Sequence, residues 1–277
     1  MQTIRLILKG GIIGIANIIP GVSGGTMAVV LGIYEKLIEA LGNFFTDKTR
    51  RKEYFIFLLK ICMGAGMTIL LFSWVMDYLL TNYRVYTYVF FIGLILGSIP
   101  SIYKSHSDMK LNFISIFTFL MAVALILGLF FFAPEETANI DQGAVHQWSV
   151  QKGLILIICG ILSGGSMIMP GISGSFILVL LGQYHYIIRS LKNLSVLPLF
   201  LLGIGIGIGI WTFAKIIDYL LKRYPKETFY FILGLVVASL IPIFPGVPVG
   251  VWEKLIALIV GLIGFFISFK LGERNST

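Results

Sequence analysis

A chain of 277 residues with 57% hydrophobic and 12% charged side chains and a mean hydropathy of +0.95 carries about half the charge of an ordinary soluble domain. That composition excludes a soluble enzyme and leaves length for about six membrane crossings of about 20 residues each, with none over for a separate soluble domain. The net charge of +8 reads as topological rather than as a nucleic-acid footprint, because no basic patch interleaved with aromatics occurs.

In chain order, residues 4–41 are apolar but interrupted at Pro20-Gly21-Val22-Ser23-Gly24-Gly25, where proline stops a helix and glycines permit a turn. The pieces on either side, about 15 residues each, rise about 22 Å as helix, too short for a hydrocarbon core of about 30 Å. A re-entrant hairpin is expected, its tip near the midplane, where irregular backbone is tolerated only if protein or a polar cavity satisfies it. Runs 54–80, 85–103 and 111–133 then predict three crossings. Residues 153–191, interrupted at Pro170-Gly171-Ile172-Ser173-Gly174-Ser175, predict a second hairpin, and 196–221, 227–244 and 251–270 three more crossings. The N-terminus opens like a signal peptide, but Lys9 breaks its apolar run and no cleavage pattern follows, so it is kept with the fold. Cys62 and Cys159 lie inside apolar runs and read as small hydrophobes.

The second interruption repeats the first 150 residues later, and Leu31-Gly32-Ile33-Tyr34 returns as Leu181-Gly182-Gln183-Tyr184 at the same spacing. Asp77-Tyr78-Leu79-Leu80 returns as Asp218-Tyr219-Leu220-Leu221. Two ordered blocks predict a duplicated unit, residues 1–140 and 141–277. Three crossings per unit is an odd number, so the second unit is expected upside down relative to the first. This arrangement gathers Arg5, Lys9, the 48–52 cluster, Lys222, Arg223 and Lys270 on one face, which the positive-inside rule makes cytoplasmic, with both termini inside. The expected class is therefore an all-α polytopic membrane protein built as an inverted-topology repeat, with six transmembrane helices and two opposed re-entrant hairpins.

Inverted repeats with broken helices are the pattern of secondary transporters, which bind substrate at the midplane. A half-helix starting after each interruption presents unpaired N–H groups and its positive end. With the hydroxyls of Ser23, Thr26, Ser173 and Ser175 and the close backbone approach allowed by Gly24, Gly25 and Gly174, the two tips suit an anion, phosphate foremost. The alternative is that these small residues serve only packing. Asn17 either satisfies the broken turn or touches ligand. Gly21-Val22-Ser23-Gly24-Gly25 also matches a serine nucleophile pattern, but His106 and His146 lie in loops and His185 about 18 Å of helix beyond Ser173. No metal-binding cluster occurs. The alternating Gly203, Gly205, Gly207 and Gly209 make two small-residue stripes. Ionisable residues at membrane depth are functional candidates: Lys9, Lys60, Glu35, Glu39, His185 and Arg189. Lys215 is expected to snorkel, and Asp77 and Asp218 to play symmetric structural parts. Arg189 with His185 one turn before it, standing opposite Glu39 and Glu35 in the repeat, suggests a basic loading side and an acidic release side.

The stretch from Lys9-Gly10-Gly11 through Ala16-Asn17-Ile18-Ile19-Pro20-Gly21-Val22-Ser23-Gly24-Gly25-Thr26 to Gly32-Ile33-Tyr34-Glu35, echoed at 170–184, resembles the PopT family of bacterial polyprenyl-phosphate transporters. The resemblance implies a plasma-membrane protein, not an enzyme. It would return undecaprenyl phosphate, the lipid carrier of cell-wall polymers, from the outer to the inner leaflet, driven by an ion gradient of protons or sodium and without a cofactor. Ser23, Gly24, Gly25, Thr26, Ser173, Gly174 and Ser175 fall in the shared motif and would face the phosphate. Transport of a small soluble anion and an intramembrane serine hydrolase are the competing readings.

Overall fold

The computed structural model describes residues 2–19, 22–104, 109–131, 150–247 and 250–276. All regular structure among them is helical. Helix α1 (Gln2–Ile18), α2 (Gly24–Val30) and α3 (Tyr34–Asn43) precede α4 (Arg51–Asn82), α5 (Arg84–Lys104) and α6 (Phe113–Phe131). The second half runs α7 (Val150–Ile168), α8 (Gly174–Leu180), α9 (Tyr184–Lys192), α10 (Val196–Arg223), α11 (Pro225–Ala238) and α12 (Val251–Ser276). Helices α4, α5, α6, α7, α10 and α12 are long and apolar enough to cross a bilayer, so the chain is a multi-pass membrane protein. Their outward faces carry large bare apolar side chains such as Leu70, Leu71 and Trp74, the last 85% exposed, as a lipid-facing surface requires.

Three features differ from the sequence expectation. Residues 227–244 do not form one helix: α11 begins with Pro225 at its first turn and ends at Ala238, and residues 239–243 are in turns. Pro242 and Pro245 lack the N–H that would continue it, and at 14 residues it rises only about 21 Å. The sixth helix of crossing length is instead α7, the first arm of the expected second hairpin. The outgoing arm of each expected hairpin is also broken a second time, at Gly32 (φ +63°) and Gly182 (φ +66°), a left-handed conformation that glycine adopts without strain. Finally, α4 has 32 residues, about 48 Å, so its charged first turn reaches beyond a 30 Å hydrocarbon layer.

Glycines bring the long helices together backbone to backbone, which is how helices associate where lipid removes the hydrophobic drive. Gly10 of α1 lies on Ile61 of α4 and Gly14 on Ala65; Gly160 of α7 lies on Leu202 of α10 and Gly164 on Ile206; Gly93 of α5 lies on Gly261 of α12 and Gly97 on Phe265. In each pair both numbers rise together, so α1 runs parallel to α4, α7 to α10, and α5 to α12. Gly234 joins α11 to Phe119 and Ala122 of α6, so each half exchanges partners with the other. At the centre sit α2 and α11, whose Met27, Ala28 and Val236 are fully buried; a helix apolar on all sides belongs there.

The alternating glycines of α10 split by face. Gly205 and Gly209 press on α7, whereas Gly203 and Gly207 have nothing within 4 Å. Gly209→Ala forces its methyl group against the Ile161 carbonyl and should lower stability by about 1–3 kcal/mol. Gly207→Ala should be neutral or gain up to about 1 kcal/mol from helix propensity. Thermal unfolding of the two variants in detergent checks the contrast.

Candidate substrate site

Both interruptions end in the same local structure. Ser23 (φ −101°, ψ 143°) caps α2 by accepting the Thr26 N–H at 3.1 Å. Ser173 (φ −103°, ψ 142°) caps α8 by accepting the Phe176 N–H at 3.2 Å. Serine is favoured there because its hydroxyl satisfies one of the helix's orphan donors. Residues 19–26, where described, form the first tip and residues 168–176 the second; Pro20 and Gly21 lie outside the described residues.

The tips are brought together, but on unequal terms. In the first, Ser23 and Thr26 are 3% and 1% exposed and face the second. The Gly171 N–H donates to Thr26 Oγ1 at 2.8 Å, Ser23 Oγ donates to the Met169 carbonyl at 3.4 Å, and Gly25 backs onto the Ile168 carbonyl with room for no side chain. In the second tip, the Ser173 and Ser175 hydroxyls lie 3.1 Å apart and line a cavity of about 230 Å³. The N–H groups of Gly174 and Ser175 precede the first helical bond and point to the same end. Gly174 leaves no space for a Cβ beside Met167 and Ser163, and Ser163 Oγ donates to its carbonyl at 2.9 Å. Asn17 packs under Gly24.

The rest of the cavity wall is apolar: Ile126, Leu129 and Phe130 of α6, with Ile172, Phe176 and Val179 beside the tip and Tyr184 and Pro242 closing it. Hydroxyl and N–H donors beside a largely apolar lining suit an amphiphile with an anionic head. Tyr184 had a signal in the repeated Leu-Gly-x-Tyr block. The α6 residues had none, since nothing in an unbroken apolar run says which face meets a tip 50 residues later.

The charged candidates separate into paired and unpaired groups. Glu39 is ion-paired to Arg50 and accepts from Tyr54 OH at 3.3 Å, and Arg50 also binds Glu53 at 3.2 Å. Glu53 and then Glu39 hold the Arg50 guanidinium more firmly protonated. The Thr49 and Arg50 donors keep the Asp47 carboxyl below the usual carboxylate range, so its ordering of this loop persists above that range and is lost as acid protonates it. Glu39 is thus neutralised, and Glu35 is exposed at the start of α3, which weakens the acidic release side expected from the repeat. Lys60 donates to Thr3 Oγ1 at 3.0 Å, toward the start of α1 and far from the tips. Lys9 donates to the Leu31 carbonyl at 2.7 Å, at the second break of the first hairpin segment. Lys215 covers the Trp211 ring. Asp218 is buried, accepting from Asn43 at 2.8 Å and Lys222 at 2.7 Å, whereas Asp77 is exposed, so the two are not equivalent. His185 and Arg189 share an exposed face of α9, and Arg189 has no ion-pair partner among the described residues. His106 and His146 lie outside the described residues, and neither tip serine has a histidine partner among those described.

Membrane-crossing helices around two serine-capped half-helices that meet inside the protein place the chain in the class of helical membrane transporters. The chain belongs to the undecaprenyl phosphate translocase-like family, whose match covers residues 13–255. It is similar to a polyprenyl-phosphate transporter of Staphylococcus aureus, 34% identical over 273 residues that span 96% of this chain and 95% of that protein. It is also similar to a polyprenyl-phosphate transporter of Vibrio cholerae, 29% identical over 256 residues, 88% of this chain and 79% of that protein. No solved structure matches it significantly.

Because Glu39 spends its charge on Arg50, Glu39→Gln should lower the melting temperature slightly and leave lipid-phosphate binding unchanged. Arg50→Gln added to it should cost less than Arg50→Gln alone. A double-mutant cycle on melting, with binding measured in parallel, checks both.

Proposed function

We propose that this protein carries polyprenyl phosphate, undecaprenyl phosphate above all, from the outer to the inner leaflet of the bacterial plasma membrane, holding the phosphate at the two tips. The observation that carries this is the slot beside the second tip, with Ser173 and Ser175 at its polar end and α6 side chains along its wall. A soluble anion has no use for such a wall, and a prenyl chain does. The names of the two relatives point to the same lipid. Hydroxyl and N–H donors gathered at one tip bind an anion strongly, since charge-assisted bonds are about twice as strong as neutral ones.

The direction rests on topology. Parallel α1 and α4 require the chain between them to return to the side it left, as a re-entrant hairpin does, and α7 and α10 require the same. Parallel α5 and α12 then favour opposite orientations for the two halves. The Asn43–Asp218 bond brings the basic 48–52 loop and the Lys222-Arg223 end of α10 to one end of the molecule, which the positive-inside rule assigns to the cytoplasm. Both termini then lie inside, and the second hairpin, with its cavity and the exposed Arg189, faces the outer leaflet. An ion gradient, of protons or sodium, would supply net work; no bound cofactor is required.

Reconstituted vesicles carrying labelled undecaprenyl phosphate in one leaflet should show protein-dependent movement to the other, while inorganic phosphate is not taken up; the reverse result makes this a small-anion transporter. Ser173→Ala and Ser175→Ala should each weaken lipid-phosphate binding by about 1–3 kcal/mol, and Gly174→Val more. Normal binding by both serine variants would leave only a packing role for the tip. In intact cells an impermeant thiol reagent should label a cysteine placed in 134–149 and spare one in 43–50; labelling of both refutes the opposed halves.

A further inference from the structure

The contact between the tips is a directed ring of hydrogen bonds. A serine hydroxyl has one proton, and that of Ser23 goes to the Met169 carbonyl. The 3.2 Å contact between Ser23 Oγ and Thr26 Oγ1 is therefore donated by Thr26, whose oxygen in turn accepts the Gly171 N–H. The path runs from the second tip's Gly171 through Thr26 and Ser23 and back to the second tip at Met169. Each bond polarises the next, and all of it is shut away from solvent at Ser23 and Thr26. Glycine suits this place: a φ of +83° is one that other residues rarely adopt, and a Cβ would strike the Leu235 carbonyl of α11 at 2.7 Å.

Gly171 also lines the Ser173–Ser175 cavity, so the residue whose N–H binds the sealed tip borders the open one. Its present acceptor is a neutral hydroxyl. A phosphate oxygen is a stronger acceptor for the same N–H. The repeat does not supply a mirror image: the residue matching Thr26 at the second tip is Phe176, which cannot accept a hydrogen bond.

Resting on the reading of the protein as a lipid-phosphate carrier, we propose that this ring is a latch which the substrate opens. Phosphate reaching Ser173 and Ser175 displaces Thr26 Oγ1 from the Gly171 N–H. The first tip, released, then offers the Ser23 and Thr26 hydroxyls to the same anion. The tips hold the phosphate in turn, second before first, and Thr26 positions the contact between them.

The test uses the full chain in nanodiscs, with Cys62 and Cys159 replaced and a reporter cysteine at the buried Val22. Thr26→Val keeps the shape but removes acceptor and donor; Thr26→Ser keeps both. Without lipid, Thr26→Val should raise the thiol-labelling rate at the reporter by about fivefold, the population shift from losing one net hydrogen bond, and Thr26→Ser should match the parent. Undecaprenyl phosphate should raise labelling in the parent and in Thr26→Ser, and change it little in Thr26→Val. Equal labelling of Thr26→Val and parent without lipid overturns the latch. Measured lipid binding with no change in parent labelling overturns its opening by substrate. Failure of the parent to bind the lipid at all overturns instead the carrier reading, while the lipid-free comparison still judges the latch.

Discussion

Inside a bilayer a peptide group without a hydrogen-bond partner costs several kcal/mol, and this chain interrupts its helices at both tips and again at Gly32 and Gly182 within otherwise apolar segments. Most of the freed groups are satisfied close by. At the second break of each outgoing arm, the Ile33 N–H reaches back to the Ala28 carbonyl at 3.0 Å and the Gln183 N–H to the Leu178 carbonyl at 2.9 Å. At the tips, Val22 returns to Ile19 at 3.2 Å and Ile172 to Met169 at 3.5 Å, while the serine caps take one donor each. Gly171 is different, for its N–H is satisfied from the opposite tip. That one requirement draws the halves of the molecule into register at its centre.

The sequence makes the all-helical polytopic class plain because composition and run length are properties of single segments. It also marks where helices restart, since a serine followed by glycine after a proline break is a cap signal that needs no tertiary information; α2 and α8 begin at Gly24 and Gly174. Less legible is anything that depends on how far an apolar run stays helical. Residues 239–244 are as hydrophobic as α11 itself, and only Pro242 and Pro245 reveal that the helix has ended. The breaks at Gly32 and Gly182 were hidden for a similar reason, as an isolated glycine in an apolar stretch is compatible with helix until its φ is known. Which face of α6 meets the second tip, and that Arg50 neutralises Glu39, follow from packing alone.

The two tips share one local geometry and differ in their surroundings. Lys9 buttresses the Leu31 carbonyl in the first half, and Cys159, 150 residues on, offers no charge. Asp218 is buried between Asn43 and Lys222, and its counterpart Asp77 faces outward. Helix α3 packs on α10 across the halves, a contact with no equally extensive counterpart between α9 and α4. A strictly symmetric pair of tips would favour neither leaflet. These differences lie on the elements flanking the tips and leave the cap torsions of Ser23 and Ser173 alike.

The glycine contacts decide which parts can move independently. Where α1 meets α4, α7 meets α10 and α5 meets α12, a carbonyl or Cα of one helix occupies the place a side chain would take on the other, and such interfaces have no slack to slide without separating. Each pair is therefore tightly packed along its seam. Helices α6 and α11 meet at Gly234 in a fourth pair, and the elements outside the pairs are α2 with α3 and α8 with α9, of 7 to 10 residues each, jointed at Gly32 and Gly182. The joints of these short segments use backbone torsions that glycine adopts without strain. The Ser23, Thr26, Ser173 and Ser175 hydroxyls proposed to face the phosphate lie within or just before these same short segments.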